Sequence, residues 1–583
     1  MAGSSLLTDF PAVPTEDWES AIRASVAGAD YPAKLIWNPE EGLAVRPYYR
    51  AEDLAAVRFL DAAPGKFPYM RGSRASGEWR IREEIGGIEP EQANRCAVEA
   101  VAAGSEEIEF CQPRIASHSD LALLLASLSE IPLKFCGLSH ESALVLAERF
   151  RERPHGSHIS ADIDPLAELN FSEALLRGSP WNRRMFTVSA EDYEEKGCGA
   201  IEQVAFTLSA GVEFLAAMLE RRVDLNCCAG SVAFSFAIGP ELLLQIAKLR
   251  AFRLAWAQVA QSFGISAQAA KPVIYARAAH WNETIYDPHV NILRATTETL
   301  SAVLGGADSI SVIPFDACFR KPDETSRRLA RNVQLILKQE AHFARVADPL
   351  GGAYAVECTT DAIATKAWKV LQELEAAGGF SKAKADGIID SVLQRREASR
   401  KDSANCRRLV LTGTNRFAAT SERADGRIDP LHRRRGHSGA AQDFEEIRLR
   451  SERAASQGEL PKVLIAEFGD AKMRTARSHF ATEFLACAGL PSNTRTFVDP
   501  SEVAESDADL IVLCSSDAEY LQFADPLISL LRQRGSEAQV AVAGNPQSAN
   551  ELQRDGIAEF IHLRSNAVEV LARLQQKLGI GDR

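Results

Sequence analysis

The sequence predicts an α/β protein: a (β/α)8 TIM-type barrel followed by a smaller flavodoxin-like doubly wound α/β domain. Three observations carry this. From about residue 67 to 380, short apolar runs alternate with amphipathic helical patterns. One stretch, 286–319 (YDPHVNILRATTETLSAVLGGADSISVIPFDACF), contains a whole repeat of that rhythm. From Lys462 the rhythm restarts after a charged, Arg-rich interval. Repeated βα units over about 300 residues favour a closed barrel over an open sheet, since no Gly-rich phosphate turn marks a first βα unit.

Asp287-Pro288 is a turn that opens a helix over 290–304, with Val290, Leu293, Thr297, Leu300 and Leu304 at helical spacing. Gly305-Gly306 ends it, because glycine accepts positive φ without a Cβ clash. Residues 309–314 are a short strand, and the loop at Phe315-Asp316 falls at the functional mouth of a barrel.

In chain order, residues 1–50 form an arm, with a helix around 18–26 and aromatics at Trp37, Tyr48 and Tyr49. It is too small for its own core, so its aromatics pack either on the main domain or on a partner subunit. The barrel occupies 51–380. Its strands are expected at 108–111, 133–137, 166–170, 185–189, 232–236, 273–276 and 310–313, with helices at 200–219, 241–263 and 326–339. Residues 381–460, with Arg395-Arg396, Arg407-Arg408 and Arg433-Arg434-Arg435, are read as a solvated linker. The last domain, 461–583, has strands at 463–466, 509–514, 539–543 and 560–562, and helices at 475–489, 524–534 and 567–578.

A net charge of −13 over 583 residues argues against a nucleic-acid or anionic-membrane surface. Eleven scattered cysteines without a CxxC pair indicate thiols in a reducing compartment and no zinc pattern. The first residues lack a signal or transit pattern, and no uninterrupted run approaches the roughly 18 apolar residues of a membrane span. A cytoplasmic location is expected.

Seven segments then match a family: FPYMRG (67–72), WRIREEIG (79–86), AIEQVAFTLSAGVEF (200–214), IAKLRAFRLAWA (246–257), YDPHVNILRATTETLSAVLGGADSI (286–310), RLARNVQLILKQEAHFARVADPLGGAYAVE (328–357) and LTGTNRFA (411–418). The chain resembles the methylmalonyl-CoA mutase family of adenosylcobalamin-dependent acyl-CoA mutases. The resemblance implies an acyl-CoA barrel, a linker and a C-terminal cobalamin-type domain. In catalytic chains of that family a histidine in a D-x-H-x-x-G loop holds cobalt, oriented by the aspartate. Here Ala471 falls at the aspartate, Met473 at the histidine and Ala476 at the glycine. A methionine thioether is a soft ligand, but core filling is its ordinary role.

The barrel departs in the same sense. Glu84 takes the place of the tyrosine in T-I-R-Q-Y-A-G, and Asp192 the place of the histidine in S-G-Y-H-M-Q-E-A-G. An ionised aspartate repels a thioester carbonyl and cannot donate a proton to it. Arg82, Lys248 and Arg250 lie in matching segments where CoA phosphate contacts could fall; the helical Lys248 and Arg250 are read as salt-bridged or solvated instead. His280, His289 and His342 are read as surface or cap histidines. No catalytic, cofactor-binding or metal role is assigned to a residue of this chain.

This pattern resembles the family's small subunit. It implies a heterodimer with a larger catalytic subunit, adenosylcobalamin on that partner, and isomerisation of (R)-methylmalonyl-CoA to succinyl-CoA. The alternatives are an acyl-CoA-sensing protein and a self-sufficient mutase for a related acyl-CoA.

Overall fold

The computed structural model describes residues 13–26, 30–39, 42–152, 159–167, 169–178, 184–430 and 439–581. Eight parallel strands form the first sheet: β1 (Arg80–Gly86), β2 (Glu107–Cys111), β3 (Leu133–Cys136), β4 (Ile159–Ala161), β5 (Phe186–Ser189), β6 (Val232–Ile238), β7 (Ile274–Ala278) and β8 (Ser309–Ser311). Their order is β4-β3-β2-β1-β8-β7-β6-β5. The two ends meet through an Ile163–Phe186 bridge and the Ala161 N–H, which donates to the Arg184 carbonyl at 2.9 Å. The sheet thus curls round on itself as a barrel, with helices outside.

Two strands differ from the sequence reading. Residues 166–170 are not a strand: a turn at 165–167 leads into helix Leu169–Gly178. Pro165 starts the turn, and Leu, Ala and Glu prefer helix once the β-branched residues stop at Ile163. The strand lies earlier, at β4. Conversely, β1 is a central strand whose Arg-Ile-Arg-Glu-Glu-Ile sequence resembles a surface segment.

Helix Val290–Leu304 and the Gly305-Gly306 stop have the expected bounds. Gly306 has φ +73°, and a Cβ on Gly305 would lie 2.9 Å from Leu249 Cδ1. The expected stripe is not the buried one, however. Leu293 is 64% exposed, while Asn291, Ala295, Glu298, Thr299 and Ala302 are buried. This face docks closely on helix Leu242–Ser262, which favours small residues, and its polar groups have partners. Asn291 Nδ2 donates to the Thr284 and Phe315 carbonyls at 3.0 and 2.9 Å, and Glu298 accepts from Asn282 at 2.6 Å.

Helix Ala200–Glu220 is long and apolar enough to cross a membrane. It is mostly buried instead, packed between helices Leu242–Ser262 and Tyr354–Ala376. The arm rests on the barrel through Leu43 and Val45, which join its core, while Trp18 and Trp37 remain about half exposed.

The second sheet has β9 (Val463–Glu467), β10 (Ser492–Thr496), β11 (Leu510–Cys514), β12 (Gln539–Ala543) and β13 (Glu559–Ile561) in order β10-β9-β11-β12-β13, all parallel. This is the 2-1-3-4-5 order of a flavodoxin-like domain. β10 escaped the sequence reading because it is a polar edge strand, Ser-Asn-Thr-Arg-Thr, with mostly exposed side chains.

Among its described residues, the interval 381–460 is not a solvated linker. Helix Ile388–Asn405 buries Ile389 and Leu393 in the barrel core. Helix Gln442–Ser456 puts Phe444, Ile447 and Ala454 into the core of the second domain. Its Leu449 joins Ile285, Tyr286 and Phe319 on the barrel side, and the buried Arg448 guanidinium stacks 3.7 Å from the Tyr286 ring centroid. This helix therefore clamps the 286–319 repeat to the C-terminal domain. Arg433 to Arg435 lie outside the described residues.

Candidate functional site

Alternation along the strands sends every second side chain into the barrel, where branched apolar residues ordinarily form packed layers. Here the lumen is ionic. Arg82 (β1), Glu109 (β2), Lys134 (β3) and Tyr275 (β7) are each at most 4% exposed. Glu109 accepts from Lys134 Nζ at 2.7 Å and pairs with Arg82 Nε at 3.0 Å. Lys134 also reaches Asp162 at 3.4 Å. The Tyr275 ring lies between the cations, 5.1 Å from the Arg82 guanidinium and 4.8 Å from Lys134 Nζ. Burial opposes ionisation of Glu109, but the Arg82 and Lys134 charges outweigh it and hold the carboxyl at about 2. Below this layer, Glu107 meets Ser309 and Arg80.

At the mouth, Arg277 (β7) faces Glu191 at 3.4 Å and Glu84 at 4.0 Å. Ser311 donates to Glu84 and Ser235 to Glu191. Glu84 therefore enters the mouth, as its sequence position implies. Asp192 does not: it is exposed on the short helix Glu191–Glu195, and the acid entering the mouth is its neighbour Glu191. Burial opposes the ionised form of Glu191, but the Arg277 and Lys134 charges prevail and lower its pKa. A cavity of about 400 Å³ opens beside Glu84, lined by Cys111, His280, Lys321, Arg327 and Arg331 among others.

His280 is not a surface histidine. Its Nδ1 lies 3.2 Å from Glu283 Oε2, and its backbone N–H donates to Glu195 at 2.9 Å. Burial, then the Arg277 charge, pushes its pKa down to about 4. The unfolded chain therefore takes up this proton first, near pH 6.5, and the folded chain only near pH 4. Stability is full above that window and falls as pH drops through it. About 2 kcal/mol is at stake once the quarter of the side chain open to water is allowed for. Denaturant unfolding at pH 7.5 and 4.5 should show His280→Gln losing about that much less than wild type; equal losses would contradict the assignment. His289 and His342 do occupy helix N-cap positions.

Lys248 and Arg250 are salt-bridged but not solvated. Lys248 Nζ donates to Gln203 Oε1 and the Ala237 carbonyl, both at 2.8 Å, and pairs with Glu194 at 3.4 Å. Arg250 bridges Asp348 and Glu357, the latter at 2.9 Å. Arg71 holds the same two carboxylates at 2.9 and 3.1 Å. These four residues come from the FPYMRG, IAKLRAFRLAWA and VADPLGGAYAVE segments, so what unites those motifs here is one buried ion cluster. A Cβ on Gly351 would lie 2.2 Å from Arg71 Nη1. The sequence signal that could have exposed the lumen was the alternation of Arg82 with Glu84 and of Tyr275 with Arg277.

Residues 38–118 and 179–480 match the family described as methylmalonyl-CoA mutase. The chain belongs to this family. Its relatives include the methylmalonyl-CoA mutase small subunit of Porphyromonas gingivalis, 32% identical over 627 residues and 99% of both chains. The small subunit of Streptomyces virginiae is 30% identical over 625 residues, again with 99% of both chains covered. The methylmalonyl-CoA mutase of Cereibacter sphaeroides is 28% identical over 499 residues, covering 76% of this chain and 69% of that protein.

The methylmalonyl-CoA mutase family is generally cobalamin-dependent, and the loops at the crest of the second sheet bear on whether this chain fits that group. After β9 only Phe468-Gly469-Asp470 precede helix Ala471–Ala486. Ala471, Met473 and Ala476 all sit on that helix and all are exposed. Met473, at 37% exposure, fills no core, contrary to the ordinary role of methionine. Its N–H is capped by Asp470 Oδ1 at 2.8 Å. A Cβ on Gly469 would lie 2.5 Å from Glu519, so that carboxylate covers the loop. Hydrogen bonds from Ser516, the Asp470 N–H and Ser515 hold Glu519 at about 2. Arg477 packs against the ends of β11 and β12, donating to the Ser515 carbonyl at 2.8 Å and pairing with Asp517 at 2.7 Å. It also lies where a Gly544 Cβ would be, at 2.8 Å. The residues present do not fit a corrinoid: Met473 stands in place of the histidine, and Glu519 and Arg477 pack over Gly469 and Gly544.

Proposed function

We propose that this chain is the small, non-catalytic subunit of an adenosylcobalamin-dependent methylmalonyl-CoA mutase. It pairs with a larger chain that binds the cofactor and isomerises (R)-methylmalonyl-CoA to succinyl-CoA. The observation that carries this reading is the ionic lumen. A thioester carbonyl rearranging at a barrel mouth needs a hydrogen-bond donor and a solvent-free space. Here it would meet the Glu84 and Glu191 carboxylates, each already paired to Arg277, above a layer blocked by Arg82, Glu109, Lys134 and Tyr275. Ala471, Met473 and Ala476 at the three cofactor positions support the same reading, as do the names of the full-length relatives. The barrel then serves as a support for a catalytic chain of similar design.

The cavity beside Glu84, with Lys321, Arg327 and Arg331 on its wall, favours one second reading: retained binding of an anionic acyl-CoA without chemistry. Co-expression with a larger mutase chain separates the two. The subunit reading expects the chains to co-purify, with turnover only in the complex. Turnover by this chain alone, or failure to associate together with micromolar acyl-CoA affinity, would overturn it.

A further inference from the structure

Two side chains in the lumen lie outside the ion pairs and have no role in the reading above. Cys111 ends β2 and Cys136 ends β3, and the two are register partners on adjacent parallel strands. Both are free thiols. Among the described residues, Glu109, Cys111 and Cys136 bring one carboxylate oxygen and two sulfurs within 4.8 Å of one another. Neighbouring strands lie about 4.8 Å apart, so in-register side chains on one face converge on a common point. The third position of this row, on β1, is Gly86, the register partner of Cys111. It has no side chain, and a Cβ there would lie 3.0 Å from Cys111 Cβ. Glycine therefore lets β1 approach Cys111 closely and puts no competing side chain in the row. Cys111 also lines the cavity of about 400 Å³, which gives an entry path and room for water.

We infer that Cys111, Cys136 and Glu109 form a binding site for a thiophilic d10 divalent cation, with Zn2+ as the reference ion, at the mouth of the barrel. Two thiolates, one carboxylate and one water from the cavity complete a tetrahedral set. Thiolate donors select this class of ion over Mg2+ or Ca2+. Glu109 uses one lone pair on each oxygen for Lys134 and Arg82, and a carboxylate offers about four such sites. The charge balance permits occupancy. Each thiol gives up one proton to water as the ion binds, so M2+ replaces two H+ and the lumen gains no net charge. Five carboxylates (Glu84, Glu107, Glu109, Asp162, Glu191) face Arg80, Arg82, Lys134 and Arg277 in the lumen, and Lys321, Arg327 and Arg331 line the cavity, so the thiolates rather than the net field select the ion. The ion would tie β2 to β3 and close the lumen above Glu109.

The test uses the full-length chain, reduced, treated with chelator and titrated with Co2+ as a spectroscopic probe. One equivalent should produce thiolate-to-cobalt charge-transfer absorption, which Zn2+ then bleaches. Cys111→Ser and Cys136→Ser should each lose the band and weaken Zn2+ binding at least about tenfold, whereas Cys406→Ser keeps both. Circular dichroism checks that the serine variants are folded. X-ray absorption of Zn2+-loaded wild type gives a second readout independent of any variant: two sulfurs at about 2.3 Å. Absence of the band in wild type, its persistence in the Cys111→Ser/Cys136→Ser double variant, or a zinc shell without sulfur would each overturn the assignment.

Discussion

Lys134→Met is expected to lower the unfolding free energy by about 3–5 kcal/mol, because it removes one partner from a buried ion network and leaves the others in place. Lys134 is 1% exposed and its ammonium serves both Glu109 and Asp162. After the substitution Glu109 keeps only Arg82, and Asp162, whose Oδ1 already has no hydrogen-bond partner, loses its cation. Urea unfolding of the variant measures the loss directly. Replacing Arg82, Glu109, Lys134 and Asp162 together by apolar residues of similar volume should cost much less, since desolvation of the whole network is relieved with its attractions. A loss below about 1 kcal/mol for Lys134→Met would mean that water reaches the lumen and that the layer does not block it.

Arg250→Met should cost a similar amount, about 3–5 kcal/mol, at the other ion cluster. The Arg250 guanidinium, 1% exposed, spans Asp348 and Glu357, and Arg71 alone cannot neutralise both. Arg250→Lys should fail to restore stability, because an ammonium cannot bridge two carboxylates as a planar fork does. Thermal unfolding of the two variants checks this. Full rescue by lysine would show that only net charge matters there.

Elements with strong local signals were legible in the sequence. Helix Val290–Leu304, its Gly305-Gly306 stop and β8 follow from periodicity and glycine chemistry alone. The same helix shows the limit. Its buried face carries Asn291, Glu298 and Thr299, whose burial depends on partners such as Asn282 and Thr284 that periodicity cannot supply. β1 was missed for the same reason, since Arg82 and Glu84 are acceptable in a barrel interior only when Glu109, Arg277 and Ser311 arrive from other strands. Substitution at positions 84, 471, 473 and 476 was visible from motif spacing. That Glu191 rather than Asp192 enters the mouth was not, because one residue of helix phase decides it. Nor did spacing show that Glu519, far along the chain, packs over Gly469, or that Arg477, directly after Ala476, packs over Gly544.

Adenosylcobalamin is expected on the partner chain, and corrinoid stoichiometry decides it. The purified complex of this chain with a larger mutase chain is saturated with adenosylcobalamin, freed of excess, and its corrinoid content measured per pair of chains. The account predicts one per pair, none on this chain alone, and no gain from Ala471→Asp/Met473→His while Glu519 and Arg477 remain. Two per pair, or one equivalent held by this chain alone, would contradict it.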